Sequence, residues 1–176
     1  MSAFKTPSAL REVLGLTFEP AQVIVMLGFA VVTAALVLQG SQLDAVPAWR
    51  VVVAAVLIGD IGAGCLSNFT VSTNGFYAAR PWLRWGFIAV HGHLVAVAWA
   101  LSWPLAPAIG LWAWTIGSAS VVNLLAGRPA QRFVAGALFA TSLLSPLVFT
   151  VPAPMQVVSA LFTLKVAYAF AVRHER

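Results

Sequence analysis

PAQVIVMLGFAVVTAALVL, residues 20–38, runs without a single charged side chain. A bilayer's hydrocarbon core is about 30 Å thick and takes about 20 such residues wound as a helix. The rest of the chain repeats the pattern. Hydrophobic residues make up 61% of the 176 positions and charged residues 9%, with a mean hydropathy of +0.92. A water-facing domain carries about a quarter charged residues, so this chain has too few to cover itself in water. Bilayers admit helices or closed barrels, because every backbone polar group needs an internal partner. Long apolar runs read as helices, and the expected class is an all-α integral membrane protein.

Six such runs are legible: 20–38, 46–65, 82–103, 106–126, 130–149 and 153–172. Turn formers separate them, at QGSQLDAVP, SNFTVSTNGFYAARP, WPLAP, GRP and TVPAP. Pro20, Pro47, Pro81, Pro107, Pro129 and Pro154 stand at or near the starts, where a missing N–H costs nothing. The basic residues set the expected orientation. With both termini in the cytoplasm, Lys5, Arg11, Arg80, Arg84, Arg128, Arg132, Arg173 and Arg176 lie inside and only Arg50 outside, as the positive-inside rule requires. Tryptophans frame the same arrangement, Trp82 and Trp85 at the inner interface, and Trp49, Trp99, Trp103, Trp112 and Trp114 at the outer one. The expected location is the inner or plasma membrane, with residues 20–176 as a six-helix domain. Residues 1–19 precede it. Leu10, Val13, Leu14 and Phe18 recur there at helical spacing with Thr6-Pro7 as a start signal, which predicts a short amphipathic helix on the inner leaflet.

The isoelectric point near 10.4 would suit nucleic acid, but the ten Lys and Arg are scattered singly along the chain. No nucleic-acid partner is expected. The bilayer is the partner that composition names; a small solute, a lipid ligand and a second copy of the chain stay open. A single cysteine, Cys65, excludes an intrachain disulfide, and no Cys/His cluster has zinc-finger spacing. Two stretches echo each other. ARPWLRWGFIAV (79–90) and GRPAQRFVAGAL (127–138) share R-P-x-x-R-aromatic, and each follows a span containing Ile-Gly-Asp or Ile-Gly-Ser. That pattern fits either a duplicated two-helix unit or two independent inner-interface helix starts.

Within the spans, ionisable residues are costly, by about 2.5–3.5 kcal/mol on insertion scales, and they face the bundle interior. Asp60 stands in the second run beside the small-residue stripe Ala55, Gly59 and Ala63. Its candidate companions are His91 and His93 in the third run, Asn123 in the fourth, and Lys165 with Tyr168 in the sixth. Lys165 is the natural charge partner, and His91 the natural proton-handling one. Residues two apart point about 200° apart on a helix, so both histidines meet one pocket only if Gly92 loosens the helix. The uncharged stretch 66–77, with Asn68, Thr70, Asn74 and Tyr77, reads as the pocket's rim. Asn68-Phe69-Thr70 has the form of a glycosylation sequon, which a cytoplasmic location excludes.

No metal is expected from spacing, since histidines at i, i+2 with one aspartate lack the i, i+4 arrangement of H-E-x-x-H. No cofactor is named either; haem would want axial histidines on different helices. Three function classes remain. The favoured one is a small proton- or cation-coupled carrier, or a subunit of one, built on a cytoplasm-facing pocket. The others are an intramembrane enzyme on a lipid or lipid-linked substrate, with Asp60 and His91 or His93 as its base, and a scaffold whose polar groups only fix helix register.

Overall fold

The structure is a computed structural model, and it describes residues 3–174. It is all-helical apart from one two-stranded ladder. The helices are α1 (Arg11–Leu14), α2 (Pro20–Gln39), α3 (Ala48–Ser67), α4 (Val71–Ala78), α5 (Pro81–Val90), α6 (His93–Ala100), α7 (Leu105–Leu124), α8 (Gln131–Ser142) and α9 (Ala153–Thr163). α9 continues as a π-helical segment, Leu164–Phe170. Four helices are long and apolar enough to cross a membrane: Pro20–Gln39, Ala48–Ser67, Leu105–Leu124 and Ala153–Phe170. These match four of the six expected runs. The other two are interrupted. The third breaks at His91–Gly92 into α5 and α6, and the fifth is α-helical only over Gln131–Ser142 before a 3-10 turn at Ser145–Leu147.

The packing follows from where small residues sit. On α2 the buried positions are Met26, Ala30, Thr33 and Val37, one stripe at spacings of four, three and four. The other face of α2, with Ile24, Val31 and Leu36, is exposed, as expected of a surface that meets lipid. The α2 stripe lies on α3 at Gly59 and Gly62, where an added Cβ at Gly62 would meet Thr33 Oγ1 at 3.3 Å and Ala30 Cα at 3.4 Å. Small residues therefore let the two backbones approach closely. On the far side, α3 packs against α6 and α9 through Ile58, Ile61 and Cys65, all buried. α7 joins α9 through Thr115 and Thr163, whose buried hydroxyls lie 2.8 Å apart.

The chain's polar segments are ordered. Residues 66–80 are no open loop: α4 forms there because the Thr70 hydroxyl accepts from the Thr73 N–H, a regular N-cap. The N-terminal segment holds a short helix, as expected. Here α1 with the 3-10 turn before it spans 8–14 and is closed by a ladder pairing Phe4–Lys5 with Thr17–Phe18. Thr6 does not cap it; its N–H donates to the Leu16 carbonyl. The segment packs on α4, with Thr17 N–H donating to Ser72 Oγ and Thr73 Oγ1 to the Val13 carbonyl.

The chain's end returns to the same place. Asn74 Nδ2 donates to the Val172 carbonyl and the His174 N–H donates to Asn74 Oδ1, so the two described ends of the chain meet at α4. Arg84, buried at 2% exposure, holds this end. Its Nη2 donates to the carbonyls of Phe170 (3.2 Å) and Ala171 (2.8 Å), and its Nε to Asn123 Oδ1. Arg132, at the matching place in the second R-P-x-x-R, donates to the His174 carbonyl at 3.0 Å. Gln131 Nε2 adds a bond to the Ala171 carbonyl. Cations at the carbonyl end of a helix are stabilising.

The two arginines differ in burial, and that separates their contributions. Removing a buried charged donor leaves carbonyls orphaned, a cost of about 3 kcal/mol, whereas an exposed contact contributes under about 1 kcal/mol. Arg84→Ala is therefore expected to lower thermal stability in detergent clearly, and Arg132→Ala only slightly. Equal losses would contradict the clamp.

Candidate functional site

Asp60 lies seven residues before the end of α3, about 10 Å from that terminus at 1.5 Å per residue. Lys165 reaches it from the π-helical segment. Its Nζ lies 2.5 Å from Asp60 Oδ2 and donates also to the Asp60 carbonyl at 3.3 Å. The lysine stem passes directly over Gly64, where any Cβ would overlap Cε and Cδ. Glycine is required at this crossing because the aliphatic stem occupies the space a side chain would fill. π-helical turns displace side chains from regular register and recur at functional sites; here one carries Lys165 to the acid.

The two histidines meet the same carboxylate because the helix between them is broken. His91 ends α5 with φ −79° and ψ 73°, and Gly92 opens α6. The ring centroids then lie 4.8 Å apart, which a regular helix forbids at this spacing. His93 Nε2 is 3.4 Å from Asp60 Oδ2. Within a bundle, freed backbone groups need other partners, and two of the carbonyls at the break find side-chain donors. The Phe87 carbonyl accepts from His91 Nδ1 at 2.5 Å, and the His91 carbonyl accepts from Trp112 Nε1 at 2.9 Å. The first bond fixes the tautomer: Nδ1 carries the proton and Nε2 keeps its lone pair. Trp112 is half-buried and its indole N–H is directed at this break. Phe87 in turn stacks between His91 and Phe170, at 3.7 Å to each centroid.

Asp60, His91, His93 and Lys165 line one pocket of about 350 Å³, walled on one side by Leu83 and Phe87. Glu12 and Val13 of the N-terminal segment line it too. One ligand atom each from Asp60, His91 and His93 lie within 4.8 Å of one another.

The remaining sequence-predicted residues are placed as follows. Asn68 and Tyr77 line the pocket. Asn68 is buried, its Nδ2 donating to the Lys165 carbonyl at 3.3 Å, which puts the sequon out of reach of modification in any orientation. The Tyr77 hydroxyl is pushed up to about 12, first by burial and then by the nearby Glu12 carboxylate, so it stays neutral at any physiological pH. Thr70 and Asn74 turn away, the first to cap α4 and the second to hold the C-terminal backbone. Asn123 lies with Arg84, and Tyr168 beside Phe69 and Phe139; neither lines the pocket. Sequence reasoning missed Arg84 as a structural centre and Phe87 as the stacking partner. The repeated R-P-x-x-R was the available signal for the arginine. A scan against protein-family models, curated proteins and solved structures finds no match for this chain.

The ion pair is asymmetric. The Lys165 side chain is 3% exposed and that of Asp60 47%. Removing the acid strands a buried ammonium, and breaking a buried pair costs about 3–5 kcal/mol. Removing the lysine leaves a carboxylate that the open pocket can hydrate. Asp60→Asn is thus expected to destabilise the protein by about 3 kcal/mol and Lys165→Met by much less. The double variant D60N/K165M should recover most of the loss, read by thermal unfolding in detergent. Additive losses in the double variant would show that the pair contributes nothing.

Proposed function

We propose that this chain is a multi-pass membrane protein that works as a small cation-coupled carrier, or as the membrane subunit of one. Asp60 is the residue that takes up and releases the cation. The observation that carries this reading is the broken third helix at His91–Gly92. Interrupted helices are costly in a bilayer, and transporters use them to present backbone and side-chain ligands at a binding site. Here the break brings two imidazoles to a carboxylate already engaged by a lysine. A bundle that needed only stability would be served by a continuous helix with Leu at both positions.

The reading includes six crossings with both termini cytoplasmic. It is supported by the eight basic residues at one side against Arg50 at the other. In this arrangement α5 and α6 form one interrupted crossing and α8 with its 3-10 turn another. Arg50 has its own local reason to be outside: it donates to the Trp99 carbonyl and to Ser102 Oγ, at the C-terminal end of α6. A second reading, an enzyme acting on a lipid-linked substrate, draws on the apolar wall Leu83, Phe87 and Val90 beside the same polar groups. It predicts a copurifying lipid and no ion flux.

Three measurements test the proposal. In a Cys65→Ser background, Gln42→Cys is expected to react with an impermeant maleimide from outside intact cells, and Ser8→Cys only after permeabilisation. In proteoliposomes, wild-type protein should pass a divalent cation down its gradient, and D60N/K165M should reduce the initial rate at least tenfold while eluting as a folded species. A pH gradient imposed without the cation separates cation uptake from proton coupling. Equal flux in the variant and the wild type would sink the carrier reading.

A further inference from the structure

We propose that the pocket binds one divalent first-row transition-metal ion, held by Asp60, His91 and His93, and that Lys165 is a tethered counter-ion which the metal displaces. This deepens the carrier reading and rests on it for the ion's purpose, though not for the ion's binding.

The ligand set decides the class of ion. Two imidazole nitrogens with one carboxylate oxygen suit zinc, cobalt, nickel, copper or iron, whereas magnesium and calcium want oxygen. Distances agree with a site near closure. Ligand atoms about 2.1 Å from a tetrahedral metal stand about 3.4 Å from one another, and His93 Nε2 lies 3.4 Å from Asp60 Oδ2. The third ligand atom is no more than 4.8 Å from the other two, within reach of a side-chain rotation. His91 is prepared as ligands usually are, its Nδ1–H engaged by a backbone carbonyl and its Nε2 lone pair left over. His93 Nδ1 is buried and has no hydrogen-bond partner among the described residues. A buried nitrogen without a partner is costly in a purely structural histidine. In a ligand, a modest ring movement gives one nitrogen to the metal and turns the other toward the open pocket.

Lys165 explains how such a site would also let go. Its ammonium sits on the same Oδ2 that faces His93, so lysine and metal contend for one oxygen. A dication arriving there repels the ammonium, and a departing one leaves the carboxylate neutralised. The acid is therefore never stranded without a cation. This exchange suits a carrier better than a permanent cofactor site, where a resident competing cation would only weaken the complex.

The purified protein, stripped of metal in detergent, is titrated with Co²⁺ and followed by visible absorption and calorimetry. One ion per chain is expected, displaced by Zn²⁺ and not by equal concentrations of Mg²⁺ or Ca²⁺. Lys165→Met should tighten binding at least tenfold, because the competitor is gone. His91→Ala and His93→Ala should each weaken it at least tenfold, with gel filtration and circular dichroism showing that the fold survives. No Co²⁺ binding by either wild type or K165M would overturn the site. Unchanged affinity in K165M would overturn the counter-ion role, and binding that persists in the double histidine variant would overturn the ligand assignment. Metal binding without flux refutes the carrier reading and leaves the site standing; flux without metal binding does the reverse.

Discussion

The ion pair between Asp60 and Lys165 is the constraint around which the bundle is arranged. A lone charge costs about 2.5–3.5 kcal/mol at the centre of a spanning helix, and here it is the buried Lys165 that would bear that cost unpaired. At 2.5 Å they lower one another's desolvation penalty, but only if α3 and the π-helical end of α9 stay in fixed register. Three features enforce that register. Gly64 opens the channel through which the lysine stem passes. Asn68, one turn beyond, donates to the carbonyl of Lys165 itself, and Cys65 Sγ contacts the Leu161 carbonyl. Because Gly64, Cys65 and Asn68 all address the same final segment, a slip of one residue would break all three contacts and part the lysine from the acid.

That register then determines what the broken helix can do. With α3 and α9 fixed, α6 packs on α3 and begins directly at the carboxylate. α5 leaves in another direction, onto α4 and α7, and the space it vacates beside α3 is the pocket. A continuous helix from 81 to 100 would fill that gap and turn one histidine away. The break is sustained because its freed carbonyls are taken by His91 and Trp112. Fold and candidate site are therefore coupled at one step of the chain, since His91 both repairs the backbone and lines the pocket beside the acid.

Much of this was legible in the sequence, for reasons that also explain what was not. Asp60 and Lys165 stand out because charge within an apolar run has few affordable partners, so the pair follows almost by elimination. The histidine pair was legible as a conflict: regular geometry forbids their meeting, and Gly92 marks where geometry gives way. Continuous runs such as 20–38 read directly as helices. The stretch 66–80 read as a loop because its residues are polar, yet Thr70 supplies a cap and Asn74 faces protein rather than water. Polarity reports whether hydrogen bonds are needed and says nothing of who provides them. Asn123 and Tyr168 share a depth with the site and not its direction, and depth is all that counting along a helix delivers.

Arg84 shows the limit of topology rules most clearly. As a basic residue near a helix start it counts toward orientation, and any other arginine there would count equally. In the structure it is buried without a carboxylate partner among the described residues, and its charge is met by helix-end carbonyls and one amide. Such carbonyls carry the partial negative charge of the helix terminus, which makes them a fitting counterpart for a guanidinium with donors to spare. The echo at Arg132 places a second guanidinium on the same terminus, a few residues on. One motif written twice thus closes two different hairpins onto the final helix, the one that carries Lys165. The cationic end of the bundle is in this way an extension of the site: it fixes the far end of the helix whose near turn must hold an ammonium against Asp60.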